Sequence, residues 1–377
     1  MASHWATDSV FRTPAGDGPP KFPFQGIGTR RLALARSGAR MSSIPLSIHL
    51  VRPRDLAALQ GVSSVLPLNQ PEASLAPFRP FSAALTSILP RRNRGRMIVA
   101  HGDNRVLAFA HFVPELPDSR WQLVALGSST GVYDVTPLWE QVLERSITLA
   151  GLRGVKRLYA RPPAGSPAEM ALFGVGFQPY ATETIYAARS PSFGNSALKL
   201  REQTQSDTWA IHQLYNAITP RQVQYAEAYT SHRWDVDAVR AAPSGAATNG
   251  WVLEEAFQIV AYARTISFGS NHVLELLVHP EWSGETGDLI DAALHRLVAN
   301  RRIDRVSCAL RGYQQELGGA FMDRGFRPTA ELALSVKYTA ARATAPVLEP
   351  VVQTEAVLER LPKPKRAPSY LFWQKEE

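Results

Sequence analysis

Glu275 and His279 stand four residues apart at the end of the run Val273–Val278, in which Glu275 is the one polar interruption. A carboxylate and an imidazole are groups that accept and return protons in water, and an ordinary imidazole titrates near 6.5. Each also has a plainer reading: His279 precedes Pro280 as a turn residue does, and Glu275 could face an arginine across a sheet. Gly284 and Gly287 follow where the apolar run gives way to a helical pattern, a place for a turn and helix start or for close approach of a ligand. Trp209, His212, Tyr215 and Asn216 recur at helical spacing, which packs a core or borders an acceptor pocket. Tyr313 and Tyr338 are core or rim aromatics, or substitutes for a proton donor. The single cysteine, Cys308, cannot form an internal disulfide or build the usual Cys/His zinc site. We expect it buried and inert on a strand, in a protein of the reducing cytoplasm that uses no metal.

These residues must be positioned by elements that occur twice. Comparing the halves gives an internal repeat of about 150 residues, with Gly176-Phe177 and Gly325-Phe326 offset by 149. Ile48–Asp55 and Leu198–Asp207 each read as a strand leading into a helix. Met97–Val113, around His101-Gly102-Asp103-Asn104, and Trp251–Phe268, with Glu254-Glu255 at its turn, each read as a hairpin. Trp121–Leu126 and Val273–Val278 are central strands, followed by amphipathic helices over Pro137–Leu152, with Thr136 as cap, and Gly287–Asn300. Strands over Arg157–Ala160 and Arg305–Leu310, a short helix, Gly-Phe and a last strand complete each half. Strands and helices alternating around a hairpin predict an α/β fold, a mixed sheet covered on both faces.

The chain of 377 residues is 45% apolar and 20% charged, the composition of a globular protein with room for more than one domain. No apolar run reaches the roughly 18–20 residues of a membrane-spanning helix. Half of the net charge of +8 falls in residues 1–40, and the rest of the chain lacks the basic, aromatic-interleaved stripe of a nucleic-acid binder, so nucleic acid is not expected as a partner. A nucleic-acid role would need the basic leader. Residues 1–43 read as a disordered leader and 343–377 as a Pro-rich tail with one short helix near Thr354–Leu361.

Each half resembles the GNAT superfamily of acyl-CoA-dependent N-acyltransferases, the second half more closely. Leu276–Ile290 looks like the family's strand, pyrophosphate loop and helix, and Phe321–Phe326 like its closing helix and Gly-Phe turn. The resemblance spans about residues 44–342. It implies two tandem GNAT-like domains, a degenerate one over 44–190 and one over 196–342 that keeps the acyl-CoA site. It implies acetyl-CoA as co-substrate, held by Leu277, Val278, Ser283, Gly284, Glu285, Thr286, Gly287 and Asp288, because unpaired N–H groups at a helix start suit a pyrophosphate. Glu275 and His279 would be the candidate bases toward an amine, whether a small molecule, a peptide N-terminus or a lysine. The chain also departs from the pattern. The loop Arg/Gln-x-x-Gly-x-Gly/Ala keeps only Gly284 and Gly287, Glu285 adds negative charge, and the usual Tyr is replaced by Phe321 and by Leu172. The alternative is a catalytically inactive tandem protein that binds CoA, a metabolite or a protein partner.

Overall fold

The computed structural model describes residues 46–89, 95–102, 105–115, 119–129, 134–236, 243 and 245–339; the expected leader, and the expected tail with its short helix, lie outside them. In the first half β1 (Ser47–Leu50) leads to a one-turn helix α1 (Asp55–Ala58), then β2 (Val62–Pro67) and α2 (Pro80–Ile88). The antiparallel pair β3 (Arg96–Gly102) and β4 (Arg105–Glu115) follows, and then β5 (Arg120–Ser129), α3 (Thr136–Leu152), β6 (Arg157–Ala160), α4 (Pro167–Gly174) and β7 (Gln178–Ala188). The second half repeats the plan: β8 (Arg201–Glu202), α5 (Thr208–Ile218), α6 (Arg221–Glu227), the hairpin β9 (Ala247–Glu255) and β10 (Gln258–Phe268), then β11 (Asn271–Val278), α7 (Thr286–Val298), β12 (Arg305–Arg311), α8 (Gly318–Met322) and β13 (Arg327–Tyr338). The order read from the sequence is present twice. β2 is an addition that it did not anticipate.

Alternation along the strands places a helical layer on each face. Ile98, Ala100, Ala108 and Ala110 pack with Trp139, Val142 and Leu143 of α3, while Met97, Val99, Val106 and Phe109 turn to the opposite core with Ala84 of α2. In the second half Ala261, Ala263, Leu274 and Leu276 meet Leu289, Ile290 and Ala293 of α7, and Val252, Tyr262 and Leu277 meet Ile211 and Leu214 of α5. Two local expectations change. Val135 caps α3 in place of Thr136, whose backbone N–H is taken by the Asp134 carboxylate at 3.1 Å. The β9–β10 turn falls on Ala256 and Phe257, both left-handed at φ 48 and 64, so Glu254 and Glu255 end the strand.

All thirteen strands among the described residues form one sheet, in the order β1-β3-β4-β5-β6-β13-β7-β12-β11-β10-β9-β8, with β2 added against β5. The last strands are exchanged between the halves. β7 pairs with β12 of the second half, and β13 pairs with β6 of the first. Where β7 and β13 meet, Arg327 lies opposite Ala187 and Val336 opposite Gln178, so positions 149 apart swap partners about a local two-fold axis. Their two bulges fall at Tyr180 and Thr329, again 149 apart. Gly176 and Gly325, at φ 83 and 84, end α4 and α8 in the left-handed conformation that favours glycine. The following Phe177 and Phe326 amides return to the carbonyls of Leu172 and Phe321, and both rings are buried.

Candidate active site in the second half

β11 and β12 run parallel and pair from Asn271/Arg305 to Leu274/Cys308, then part. β11 continues to Val278 while bonded to β10 along its other side, which leaves the edge of Glu275–Val278 facing β12 without a strand partner among the described residues. The parting opens on a cleft of about 630 Å³, counting space open to solvent, walled by Leu276, Leu277, Ala309, Arg311 and Tyr313. Unpaired strand N–H and C=O groups bordering a cleft can bind an extended, amide-bearing ligand as an added strand.

The first half parts at the matching place and is closed. β5 and β6 pair only from Arg120/Arg157 to Gln122/Tyr159. Beyond that point β2 lies antiparallel along Ala125–Ser129, and the Leu68 N–H donates to the Val124 carbonyl at 2.8 Å. β4 holds the other edge, and β5 is buried throughout. Only the short run Val62–Leu66 before Pro67 could have signalled this strand in the sequence.

Glu275 projects into the open cleft, and its plainer reading is the one realised. Arg264 sits directly opposite it on β10 and donates Nε to Oε2 at 3.0 Å, while Arg233 donates Nη2 to Oε1 at 3.0 Å. Burial pushes the carboxyl upward, but the two guanidiniums outweigh it and bring its pKa down to about 2. So firmly ionised a carboxylate is a weak proton acceptor and a strong anchor for positive charge. His279 lies at the mouth, where its Nδ1 accepts the Glu281 N–H at 3.4 Å and its own N–H reaches the Val260 carbonyl at 2.9 Å.

Leu277 and Val278 supply backbone to the free edge, while their side chains enter the cores on opposite faces. The segment expected as an open pyrophosphate loop is wound instead. Pro280–Glu285 form 3-10 turns that run directly into α7, with the Trp282 amide bonded to the His279 carbonyl at 2.8 Å and the Thr286 amide and hydroxyl both directed to the Ser283 carbonyl. Gly287 owes its missing side chain to a neighbour: a Cβ there would come within 2.6 Å of the Arg324 guanidinium, which is clamped on Asp291 at 2.6 and 2.8 Å. Gly284 faces open space, and Glu285 is exposed. Of this set Leu277 and Val278 fit an acyl-pantetheine arm along the free edge. Ser283, Glu285, Thr286 and Asp288 offer a diphosphate few free amides and two carboxylates, so the fit of CoA is good in the parting and poor at the helix start.

The family position for a tyrosine holds Phe321, buried against Tyr186 and Phe326 at ring distances of 6.2 and 5.1 Å, and it cannot donate a proton. Tyr313 does line the cleft; its hydroxyl lies 3.4 Å from Thr219 Oγ1, and burial raises its pKa, which keeps it protonated. Tyr338 lies at the end of β13 with Arg157 over its ring at 5.5 Å. The helix set divides. Tyr215 reaches the cleft, His212 accepts the Trp234 indole N–H at 3.2 Å, and Trp209 and Asn216 are exposed. Cys308 is buried, with its thiol pKa pushed well up by desolvation.

The residues that sequence reading missed come from the exchanged strand and its neighbours. Glu183 of β7 forms an ion pair with Arg311, Oε1 to Nε at 3.2 Å, and Arg311 Nη2 lies 2.8 Å from Glu227 Oε1. The Tyr215 hydroxyl donates to Glu227 at 2.7 Å, and Arg161 pairs with Glu72 at 3.4 Å and with Glu183 at 3.7 Å. Nothing local in the sequence marks this cluster, since its members come from distant segments and Glu183 reaches Arg311 only through the strand exchange. No three His, Cys, Asp or Glu among the described residues are grouped to hold a metal, and no described helix is long and apolar enough to cross a membrane.

A hairpin, a central strand, a crossover helix, a parting between the next two strands and a Gly-Phe turn, all present twice, give the chain a tandem GNAT fold. No family model matches the sequence, and no curated protein is significantly similar to it. Several solved structures are similar. A tandem GNAT protein from the clavulanic acid biosynthesis pathway is 16% identical over 79% of this chain and 99% of its own, with a TM-score of 0.47. A GCN5-related N-acetyltransferase from Sphaerobacter thermophilus is 12% identical over 78% of this chain and 95% of its own, with a TM-score of 0.46. A GNAT-family acetyltransferase from Colwellia psychrerythraea is 10% identical over 78% of this chain and 100% of its own, with a TM-score of 0.41.

Proposed function

We infer that the protein transfers an acyl group from an acyl-CoA to an amine in the second-half cleft, and that residues 44–190 form a structural copy whose own slot is plugged. The observation that carries this reading is the free edge of Glu275–Val278 opposite Ala309–Arg311, set against the same edge covered by β2 in the first half. In this reading the backbone of Leu277 and Val278 holds the pantetheine arm. The thioester C–S bond breaks as the C–N bond forms, and the proton lost by the amine ends on the leaving thiolate. Tyr313 is the candidate donor to that thiolate, and His279 and Glu275 are the candidate acceptors, with Glu275 the weaker because Arg233 and Arg264 already hold it ionised. The site belongs to a small polar amine rather than a bulky one, because charged side chains close its floor.

Calorimetric titration of acetyl-CoA into the full chain tests the reading. Binding of one equivalent is expected, abolished by Ala309→Phe, which fills the parting, and weakened by Gly284→Asp, which adds charge beside the helix start without a clash. No binding, or binding indifferent to Ala309→Phe, overturns it. Two equivalents would assign a working slot to the first half.

A further inference from the structure

Behind the parting, on the cleft floor, two charged atoms have no hydrogen-bond partner: Glu183 Oε2 and Arg311 Nη1. Their residues are otherwise tied together, since Arg311 Nε holds Glu183 Oε1 at 3.2 Å and Nη2 holds Glu227. Glu183 is 3% exposed, and Arg161 approaches its Oε2 only to 3.7 Å, ion-pair distance without a hydrogen bond. A carboxylate oxygen and a guanidinium nitrogen of one ion pair, both buried without a hydrogen bond, are costly unless something completes them. The completing group must donate to one and accept from the other.

The surrounding charge narrows the choice. The four arginines and four glutamates described above, counting Arg264 behind Glu275, balance. A balanced floor gives no net attraction to polycations or polyanions and favours a ligand with one charge of each sign close together. We propose that the cleft binds an α-amino acid in its zwitterionic form, with the ammonium on Glu183 Oε2 and the carboxylate on Arg311 Nη1. The first half thereby contributes to the second half's substrate selection through its exchanged strand. This deepens the acyl-transfer reading, for which the amino group is the acceptor.

The test uses the full chain without any acyl donor. Glycine, L-alanine, L-serine and L-leucine are titrated by calorimetry and saturation-transfer NMR beside their methyl esters, which keep only the ammonium, and their N-acetyl derivatives, which keep only the carboxylate. At least one amino acid should bind tenfold or more tightly than both of its analogues. Glu183→Gln should weaken the amino acid and its ester tenfold or more while sparing the N-acetyl form, and Arg311→Lys should do the reverse. An ester or N-acetyl form that binds as well as its parent, or no binding by any of the four, overturns the proposal; so does unchanged affinity in a folded Glu183→Gln. If the variants fail to show a melting transition, the analogue comparison on the unaltered protein decides. Amino acid binding without acetyl-CoA binding would sink acyl transfer alone, and acetyl-CoA binding without amino acid binding would sink this proposal alone.

Discussion

The two strand partings are built from the same elements at nearly the same spacing, yet one is filled and the other open. In the first half the space beside β5 is taken by β2, a strand of the chain itself, and the lining is apolar with no titratable group on Leu123–Leu126. In the second half the matching edge of β11 is bare, and the floor is set with paired arginines and glutamates. The contrast teaches that a repeated fold can keep its architecture with the parting filled or bare, because an added strand satisfies in one half the backbone groups left unpaired in the other. It also separates two uses of burial: the first half gains a continuous core, and the second buries paired charges at a cost in desolvation.

The halves cannot be compared as separate objects if the exchanged strands bind them, and the largest expected effect tests that. Truncation after Gly325, which removes β13, should abolish the cooperative thermal transition followed by circular dichroism, since β6 and β7 both lose a partner. A second half expressed alone that melts cooperatively would show the exchange to be dispensable. Next, Arg311→Ala should destabilise the chain by about 3–5 kcal/mol in urea, because it leaves buried Glu227 without its cation and Glu183 with Arg161 alone. A value near zero would mean that the cleft is wet enough to screen them.

Glu275→Gln comes third. The folded carboxyl titrates at about 2 against 4.5 unperturbed, so its contribution is complete above pH 4.5 and fades as pH falls toward 2. The loss at neutral pH should be about 2–3 kcal/mol, and the variant should show a shallower decline in stability between pH 4.5 and 2 than the parent. Parallel acid limbs would remove Glu275 from the ion pairs. The smallest effect belongs to Gly287→Ala, about 1 kcal/mol or less, since only the far end of the Arg324 side chain must yield. Its acetyl-CoA affinity should be unchanged; a large drop in affinity would restore Gly287 to a ligand-binding role.

Much of the architecture was legible because it is written locally. Apolar periods of two and of 3.6 marked the strands and helices, and the glycine before each buried phenylalanine marked a left-handed helix end at a fixed offset. The exchange was not legible, since β7 and β13 carry the same alternation whichever half they pair with. The hairpin tip moved from Glu254-Glu255 to Ala256-Phe257, because glutamates tolerate a strand end and Phe257 reads as an apolar strand residue although it is 98% exposed. At the site, the sequence could place Glu275 beside a candidate slot but not reveal Arg233 and Arg264 upon it, and it left Glu183 unmarked among the residues of an ordinary strand.

The exchanged strands also set the order in which the chain can mature. β6 emerges early in synthesis, but the strand that bonds to its outer edge is β13, almost half the chain later. Until that segment leaves the ribosome, the first half carries an exposed sheet edge, a template for pairing with other chains. The protein therefore closes the first half of its sheet with its thirteenth strand, and nascent chains stalled before Arg327 are the species most in need of a chaperone.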